Sequence, residues 1–411
     1  MSDIIERNQL QDKMLKERLE TVIPKVMRET GTEFWIIASR EYNEDPVFSC
    51  ITPTTYPTAR RISIFVFAVR DGFTDCISLC MPDENLKKYY RMEYDRTKES
   101  QMEALERVIR QYDPQKISID VSESYACCDG LSVGLYRKFM KELPEDITKR
   151  FVSAEEAVIR LIETRTKTEI QYYPEICDIA VDIIEEAFSG KVIKPGITTC
   201  NDVENFMKRK VNKAGLTTWF DPTIDLQNEK GMADGDTVIQ KGDLVHCDFG
   251  IVCMGLHTDM QKLCYILKDD EQEAPYELQR AMKRNNAFQD IVRSNMKAGR
   301  TGNEIFFASV QEGKKEGLRP VLYTHPLGLF GHSCGPTIGL WTNQNAIYPA
   351  GENKVHDCTA YALELSIIEY LEMYQRDTYI FTEETVLFEK NYVRFLYEGR
   401  EKLYTIGGTN E

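Results

Sequence analysis

Apolar and polar positions follow two rhythms along this chain, and the change of rhythm marks its elements. From Gln9 to Glu29 apolar residues recur at helical spacing, which predicts an amphipathic opening helix. Phe34 to Ala38 and the near-continuous apolar run Ile62 to Val69 read as strands, with a short strand near Cys76 to Cys80. A charged helical stretch is predicted from about Met92 to Tyr112, and a further strand from Lys116 to Val121. Strands alternating with helices predict an α/β domain at the N-terminal end. The charged, helix-prone segment Ser153 to Thr168 leads out of it. Beyond that, Cys177, Ala180, Val181, Ile184, Ala187 and Phe188 recur at helical spacing and give one buried face. Two domains are expected, one over residues 1–157 and one over residues 158–411.

The second half carries an internal echo. VIKPGITTCNDVENFMKRKVNKAGL ends at Leu216, and NMKAGRTGNEIFFASVQEGKKEGL ends at Leu318. Each has Lys-x-Gly, a threonine, an acidic residue three positions after a threonine, an apolar helix and a closing Gly-Leu. Thr199 with Asp202 and Thr301 with Glu304 read as helix-capping pairs. The echo predicts two similar halves around a central site.

Composition narrows the function classes. The formal net charge is −15, with no basic run, which argues against nucleic acid and anionic membrane as partners. No apolar stretch approaches the length of about 18 residues that a membrane span needs, and the polar start MSDIIERNQLQDKM has no signal-peptide core. The 12 cysteines are spread without any C-x-x-C, so neither a disulfide framework nor a zinc ribbon is expected, and a cytoplasmic protein with reduced thiols is.

Candidate chemistry concentrates after residue 245, where all five histidines lie. Asp248, Asp259, His325, Glu364 and Glu383 each stand in an apolar or glycine-flanked stretch that reads as buried strand. Uncompensated buried charge costs several kcal/mol per ion, so four carboxylates and one imidazole need a positive partner, and two divalent cations supply it. Leu244 to Phe249 and Leu256 to Ile266 read as the arms of a hairpin turning at Met254-Gly255. In a simple hairpin symmetric about residues 253 and 254, Asp248 and Asp259 face each other, roughly 5 Å apart at Cβ, where like charges repel. Either both face water or a cation lies between them, and the apolar strands favour the cation. Thr324 to His332 places two histidines among glycines, and imidazole is a common ligand of divalent transition metals. Glu364 and Glu383 taken singly fit a solvent-facing strand edge. As members of a set of five they fit ligands, because glutamate rarely enters a buried strand without a partner.

These residues in this order resemble the pita-bread metallopeptidases, which include methionine aminopeptidase, aminopeptidase P, prolidase and creatinase. The α/β domain ahead of them is similar to the aminopeptidase P, prolidase and creatinase branch. The family's Asp-x-Gly with a second Asp eleven residues on appears as Asp248-Phe249-Gly250 and Asp259, and its His-x-x-Gly-x-x-x-His as His325 to His332. Its following Glu matches Glu364, and its last ligand matches Glu383, with Glu384 beside it. The resemblance covers about residues 160 to 400 and implies a pita-bread catalytic domain of α+β class with pseudo-twofold halves, over residues 158–411. It also implies that Asp259 and Glu383 bridge two metals, that Asp248 binds one and that His325 and Glu364 bind the other. Manganese is the metal expected first, with zinc, cobalt or iron as alternatives. Glu364 would accept and return a proton, and His332 would contact substrate and hydrogen-bond the oxyanion.

The implied activity is Xaa-Pro aminopeptidase or dipeptidase, and a homodimer is implied with it. The surroundings depart from the family pattern. The usual histidine upstream of the first Asp is absent from Phe220 to Met232, Glu-Pro-Gly reads Glu364-Leu365-Ser366, and Phe381 replaces an arginine. Thr258-Asp259-Met260-Gln261-Lys262 replaces the commoner Ser-Asp-x-Thr-Arg. A small-metabolite lyase or amidinohydrolase on the same scaffold, and a binding relative without catalysis, are therefore kept as alternatives.

Overall fold

The computed structural model describes residues 4–407. The chain forms two compact units, Met1–Glu169 and Ile170–Glu411.

The first unit is built on a six-stranded sheet. Its strands are β1 (Phe34–Arg40), β2 (Ile62–Arg70), β3 (Phe73–Ser78), β4 (Arg91–Met92), β5 (Ile117–Ile119) and β6 (Phe151–Ser153), in the order β4-β3-β2-β1-β5-β6. The central β1–β2–β3 meander is antiparallel and the outer strands pair in parallel. Phe34, Ile36, Ile64 and Val66 project from one sheet face onto Leu105, Val108 and Ile109 of the helix Gln101–Tyr112. That helix starts later than the charge pattern predicts. Ser100 and Glu103 close a capping box that fixes its first turn, while Arg91 and Met92 pair with β3 instead. The opening helix is interrupted by a π-helical turn at Arg18–Val22. There the buried Arg18 guanidinium bonds Glu169, which also accepts from the Thr166 backbone. These bonds tie the segment Thr166–Glu169 to the opening helix.

The second unit repeats one plan twice. Its first half has helices Lys167–Ala187 and Cys200–Lys213, then β7 (Thr223–Asn228), β8 (Gly231–Ala233), β9 (Leu244–Phe249), β10 (Val252–Cys253), β11 (Leu256–His257) and β12 (Met260–Ile266). Its second half has helices Tyr276–Asn295 and Gly302–Lys315, then β13 (Pro320–Leu322), β14 (His325–Leu327), β15 (Thr359–Ala362), β16 (Leu365–Leu371), β17 (Arg376–Thr382), β18 (Thr385–Glu389) and β19 (Tyr392–Phe395). The closing strand β20 (Tyr404–Ile406) returns to β12, giving the order β20-β12-β9-β7-β8. The other sheets run β13-β16-β17 and β14-β15-β18-β19.

The echo in the sequence is an echo in space. Thr199 with Asp202, and Thr301 with Glu304, both close capping boxes. Each capping threonine also bridges a later strand-like residue, Thr199 to Val238 and Thr301 to Lys354. Side-chain alternation in β9 then positions the chemistry. Val245, Cys247 and Phe249 join the core under the first pair of helices. Leu244 joins the core of the second half, so His246 and Asp248 face that way too. No helix among the described residues is long and apolar enough to cross a membrane.

Candidate metal centre

The β9–β12 hairpin sets the first two candidates, and its register differs from the expected one. Asp248 stands opposite Gln261, and Phe249 opposite Met260, so Asp259 is a diagonal neighbour of Asp248 and not its direct partner. The cause is the turn. Met254 and Gly255 have φ of 53° and 75°, the signature of a two-residue type I′ turn, and this centres the hairpin between them. Val252 opposite His257 and Cys253 opposite Leu256 continue the same register. Asp248 and Asp259 still share a face, because both positions keep the period of two.

Glu364 and Glu383 also sit differently from expectation. Neither lies within a strand. Glu364 occupies the joint between β15 and β16, and Glu383 the joint between β17 and β18. A joint frees the side chain from sheet alternation while the backbone stays tied. Glu383 exchanges backbone hydrogen bonds with Gln261 at 3.1 and 3.3 Å. The Glu364 carbonyl accepts from the Tyr323 N–H and the Thr324 hydroxyl. Thr385 clamps Asp259, accepting from its N–H at 3.0 Å and donating to its carbonyl at 2.8 Å. Asn285 and Gln289 both donate to the Thr382 hydroxyl. Lys262 and Glu384, 1 % and 0 % exposed at their side chains, pair at 2.7 Å and lock β12 to the joint after Glu383.

Three candidates converge. Ligand atoms of Asp259, His325 and Glu383 all lie within 4.8 Å of one another, and all three residues are buried. His325 Nε2 is 3.5 Å from Asp259 and 3.7 Å from Glu383. Its Nδ1–H donates to the Pro326 carbonyl at 3.1 Å, which leaves Nε2 as the lone-pair nitrogen aimed at the carboxylates. Asp248 and Glu364 stand outside this trio but within electrostatic reach of it. Burial, then Asp248 and Glu364, hold Asp259 well above the usual carboxylate range. Burial, then Asp259, Glu364 and Asp248, do the same to Glu383. Burial pushes Asp248 up to about 6, and burial followed by Asp248 pushes Glu364 up to about 8. Burial and the neighbouring His332 push His325 down to about 3, so it is neutral, the form that ligates metal.

This donor set fits a divalent ion. Buried Asp248 Oδ1, Asp259 Oδ1, His325 Nε2 and Glu383 Oε1 have no hydrogen-bond partner, and orphaned buried acceptors of this kind call for a cation. Oxygen-rich coordination with one imidazole suits manganese, iron, cobalt or zinc.

Around the trio lies a wider shell that includes the candidate His332. His332 is exposed, with its ring 4.8 Å from His325 and 5.0 Å from Trp219. Trp219 donates its indole N–H to the Thr258 carbonyl. A Cβ on Gly250 would lie 2.2 Å from that carbonyl oxygen, and one on Gly331 2.2 Å from the indole. Both glycines are therefore required by close approach. Phe381 stacks on Tyr379 at 5.4 Å and 7°, and packs 5.3 Å from Trp341. His246 and Gln261, both buried, join Asp225 in a hydrogen-bonded line to Glu364. Parity was the signal available: positions 246 and 261 each lie two residues from a candidate aspartate, on its face of the strand.

Buried carboxylates and a neutral imidazole facing one another define a metal-site class of hydrolase fold. The profile of metallopeptidase family M24 matches residues 171–390, more than half of the chain, and the chain belongs to that family. It is accordingly a hydrolase of metallopeptidase type, with the family's N-terminal α/β domain and pita-bread fold. Solved structures agree on the fold. An X-Pro aminopeptidase from Thermotoga maritima is 16 % identical with a TM-score of 0.65, covering 93 % of this chain and 99 % of that one. An Xaa-Pro dipeptidase from Bacillus anthracis is 16 % identical with a TM-score of 0.63, covering 95 % and 99 %. The N-terminal domain of the FACT complex subunit SPT16 from chickpea (Cicer arietinum) is 11 % identical with a TM-score of 0.59, covering 93 % and 96 %. No curated protein matches the sequence.

Proposed function

We propose that the chain is a two-metal hydrolase that cleaves the bond before proline, as an Xaa-Pro aminopeptidase or dipeptidase. One observation carries the reading: Asp259, His325 and Glu383 bring ligand atoms within 4.8 Å of one another in a buried cluster. Asp259, His325 and Glu383, with Asp248 and Glu364 beside them, would hold the ions. When bound, the ions supply Lewis acidity at the scissile carbonyl and compensate the carboxylates.

The remaining roles belong to the chain. Glu364 would accept a proton during the reaction and return it to the leaving nitrogen. His332, whose proton affinity is lowered by partial burial of its ring, would donate an N–H to the developing oxyanion. The edges of Trp219 and Tyr323 hold its ring. The domain division at 157/158, manganese as first metal, a homodimer and a cytoplasmic location are expectations from the sequence.

A second reading is supported by the aromatic wall. Phe381, packed against Tyr379 and Trp341, stands where the resemblance implies an arginine, so a small substrate without a group to pair with that cation fits as well. One experiment separates the readings. Purified protein is assayed for bound metal and then, with added manganese, against Xaa-Pro peptides and small charged metabolites. Turnover of the peptides supports the first reading, and turnover of a metabolite alone supports the second. Stoichiometric metal with no turnover of either supports a binding relative. Absence of divalent-metal binding refutes the site.

A further inference from the structure

The face of the β7–β9–β12 sheet that carries Asp248 and Asp259 also carries a line of polar side chains with no role in the ligand set. Asp225 is the cross-strand partner of His246 on β7 and β9. Gln261 is the cross-strand partner of Asp248 on β12. His246 Nδ1 lies 2.7 Å from Asp225 Oδ2, His246 Nε2 lies 3.2 Å from Gln261 Oε1, and Gln261 Nε2 lies 3.0 Å from Glu364 Oε1. His246 and Gln261 are 6 % and 4 % exposed, so water does not substitute freely for these bonds.

We infer that Asp225, His246 and Gln261 form a brace that fixes which oxygen of Glu364 is offered to the metal centre. The inference rests on the proposed reading of Glu364 as a metal ligand.

The direction of the brace follows from donor and acceptor inventory. A ligating carboxylate only accepts, so the Gln261 atom facing Glu364 is its NH2. The Gln261 carbonyl oxygen then faces His246 and takes an N–H from Nε2. Nδ1–H points to Asp225, whose carboxylate is the counter-charge. Each link leaves the next with one orientation, and Glu364 Oε1 is held by an N–H while Oε2 is left for the centre. The ring of Phe381, 4.8 Å from that of His246, limits imidazole rotation from the side. These are positioning residues. They touch a ligand and not the reacting atoms. Partners of this kind fix ligand orientation, and their loss costs about 10–100-fold in metal affinity or activity.

The test is manganese titration of the metal-free full chain by calorimetry. The proteins compared are wild type, Gln261→Met, His246→Leu, the double variant and Asp225→Asn, with melting temperatures recorded for each metal-free protein. Gln261→Met keeps the side-chain shape and removes the amide. It is expected to weaken manganese binding about 10–100-fold. Because His246 acts through Gln261, the double variant is expected to bind within about twofold of Gln261→Met, where independent roles would multiply. Asp225→Asn, at a partly exposed position, is expected to lose about threefold or more through the loosened imidazole. It carries the test if a buried variant does not fold. Wild-type affinity in Gln261→Met or in Asp225→Asn, or multiplying losses in the double variant, overturns the brace. A wild-type protein that takes up no manganese, zinc, cobalt or iron overturns the metal reading itself, a result distinct from unaltered binding in the variants.

Discussion

Replacing Glu383 by glutamine is expected to stabilise the metal-free protein and to abolish its response to metal. The side chain is 1 % exposed and its Oε1 has no hydrogen-bond partner. Burial first, then Asp259, Glu364 and Asp248, oppose its ionisation. In the absence of metal the carboxyl is a cost to the fold, because a buried charge without a partner costs several kcal/mol. Glu383→Gln keeps the shape, removes that acid and adds an N–H donor facing carboxylates. A gain of about 1–3 kcal/mol is expected, because buried acceptors left unsatisfied carry a penalty of that size. For a unit of this size each kcal/mol moves the melting temperature by about 2–4 °C, so the metal-free variant should melt roughly 2–12 °C above metal-free wild type. Manganese at about 100 times its Kd should add about 2.7 kcal/mol to wild type and little to the variant. The lead of the variant over wild type therefore shrinks by about 2.7 kcal/mol on adding metal. The assay is thermal unfolding of both proteins, chelator-treated and manganese-loaded. A metal-free variant that melts well below wild type would show Glu383 to be a structural hydrogen-bonding residue, and the charge-compensation argument would fail.

Three further outcomes are expected. Lys262→Met leaves Glu384 buried without its cation and should cost about 3–5 kcal/mol in urea denaturation, with much of the loss recovered in Lys262→Met/Glu384→Gln. In the first unit, burial raises Asp45 to about 6 and holds its neighbour Asp120 well above the usual range. A folded-state pKa above the unfolded value means the stability is present at low pH and is lost as pH rises from about 4 through 6 and beyond. Asp120→Asn should accordingly flatten the decline of that unit's stability between pH 5 and pH 8, measured by chemical denaturation, and an unchanged slope would count against the pair. Gly250→Ala forces a Cβ to within 2.2 Å of the Thr258 carbonyl oxygen. It should destabilise the fold by about 1–3 kcal/mol and displace Trp219 from His332, seen as a change in tryptophan fluorescence.

The sequence by itself determined the period-two strands and the capping boxes at Thr199 and Thr301, and it marked the five acid and imidazole positions as candidates, because each of these is local. A strand's alternation, a Ser/Thr-x-x-acid cap and an Asp-x-Gly motif are all written within a few neighbouring residues. The duplicated halves were legible for the same reason, since Thr199 and Thr301 repeat the same local signals. Tertiary structure decided what depends on residues far apart in the chain. The Met254–Gly255 turn, through its left-handed backbone, placed Asp248 opposite Gln261 and moved Asp259 to the diagonal. Glu364 and Glu383 came to rest at strand joints, where their backbones are held by Tyr323, Thr324 and Gln261. Lys262 met Glu384, and His246 met Asp225 and Gln261, only because separate strands packed side by side. Registers and joints are set by the sum of packing and hydrogen bonding over whole sheets, and no short window of sequence contains that sum.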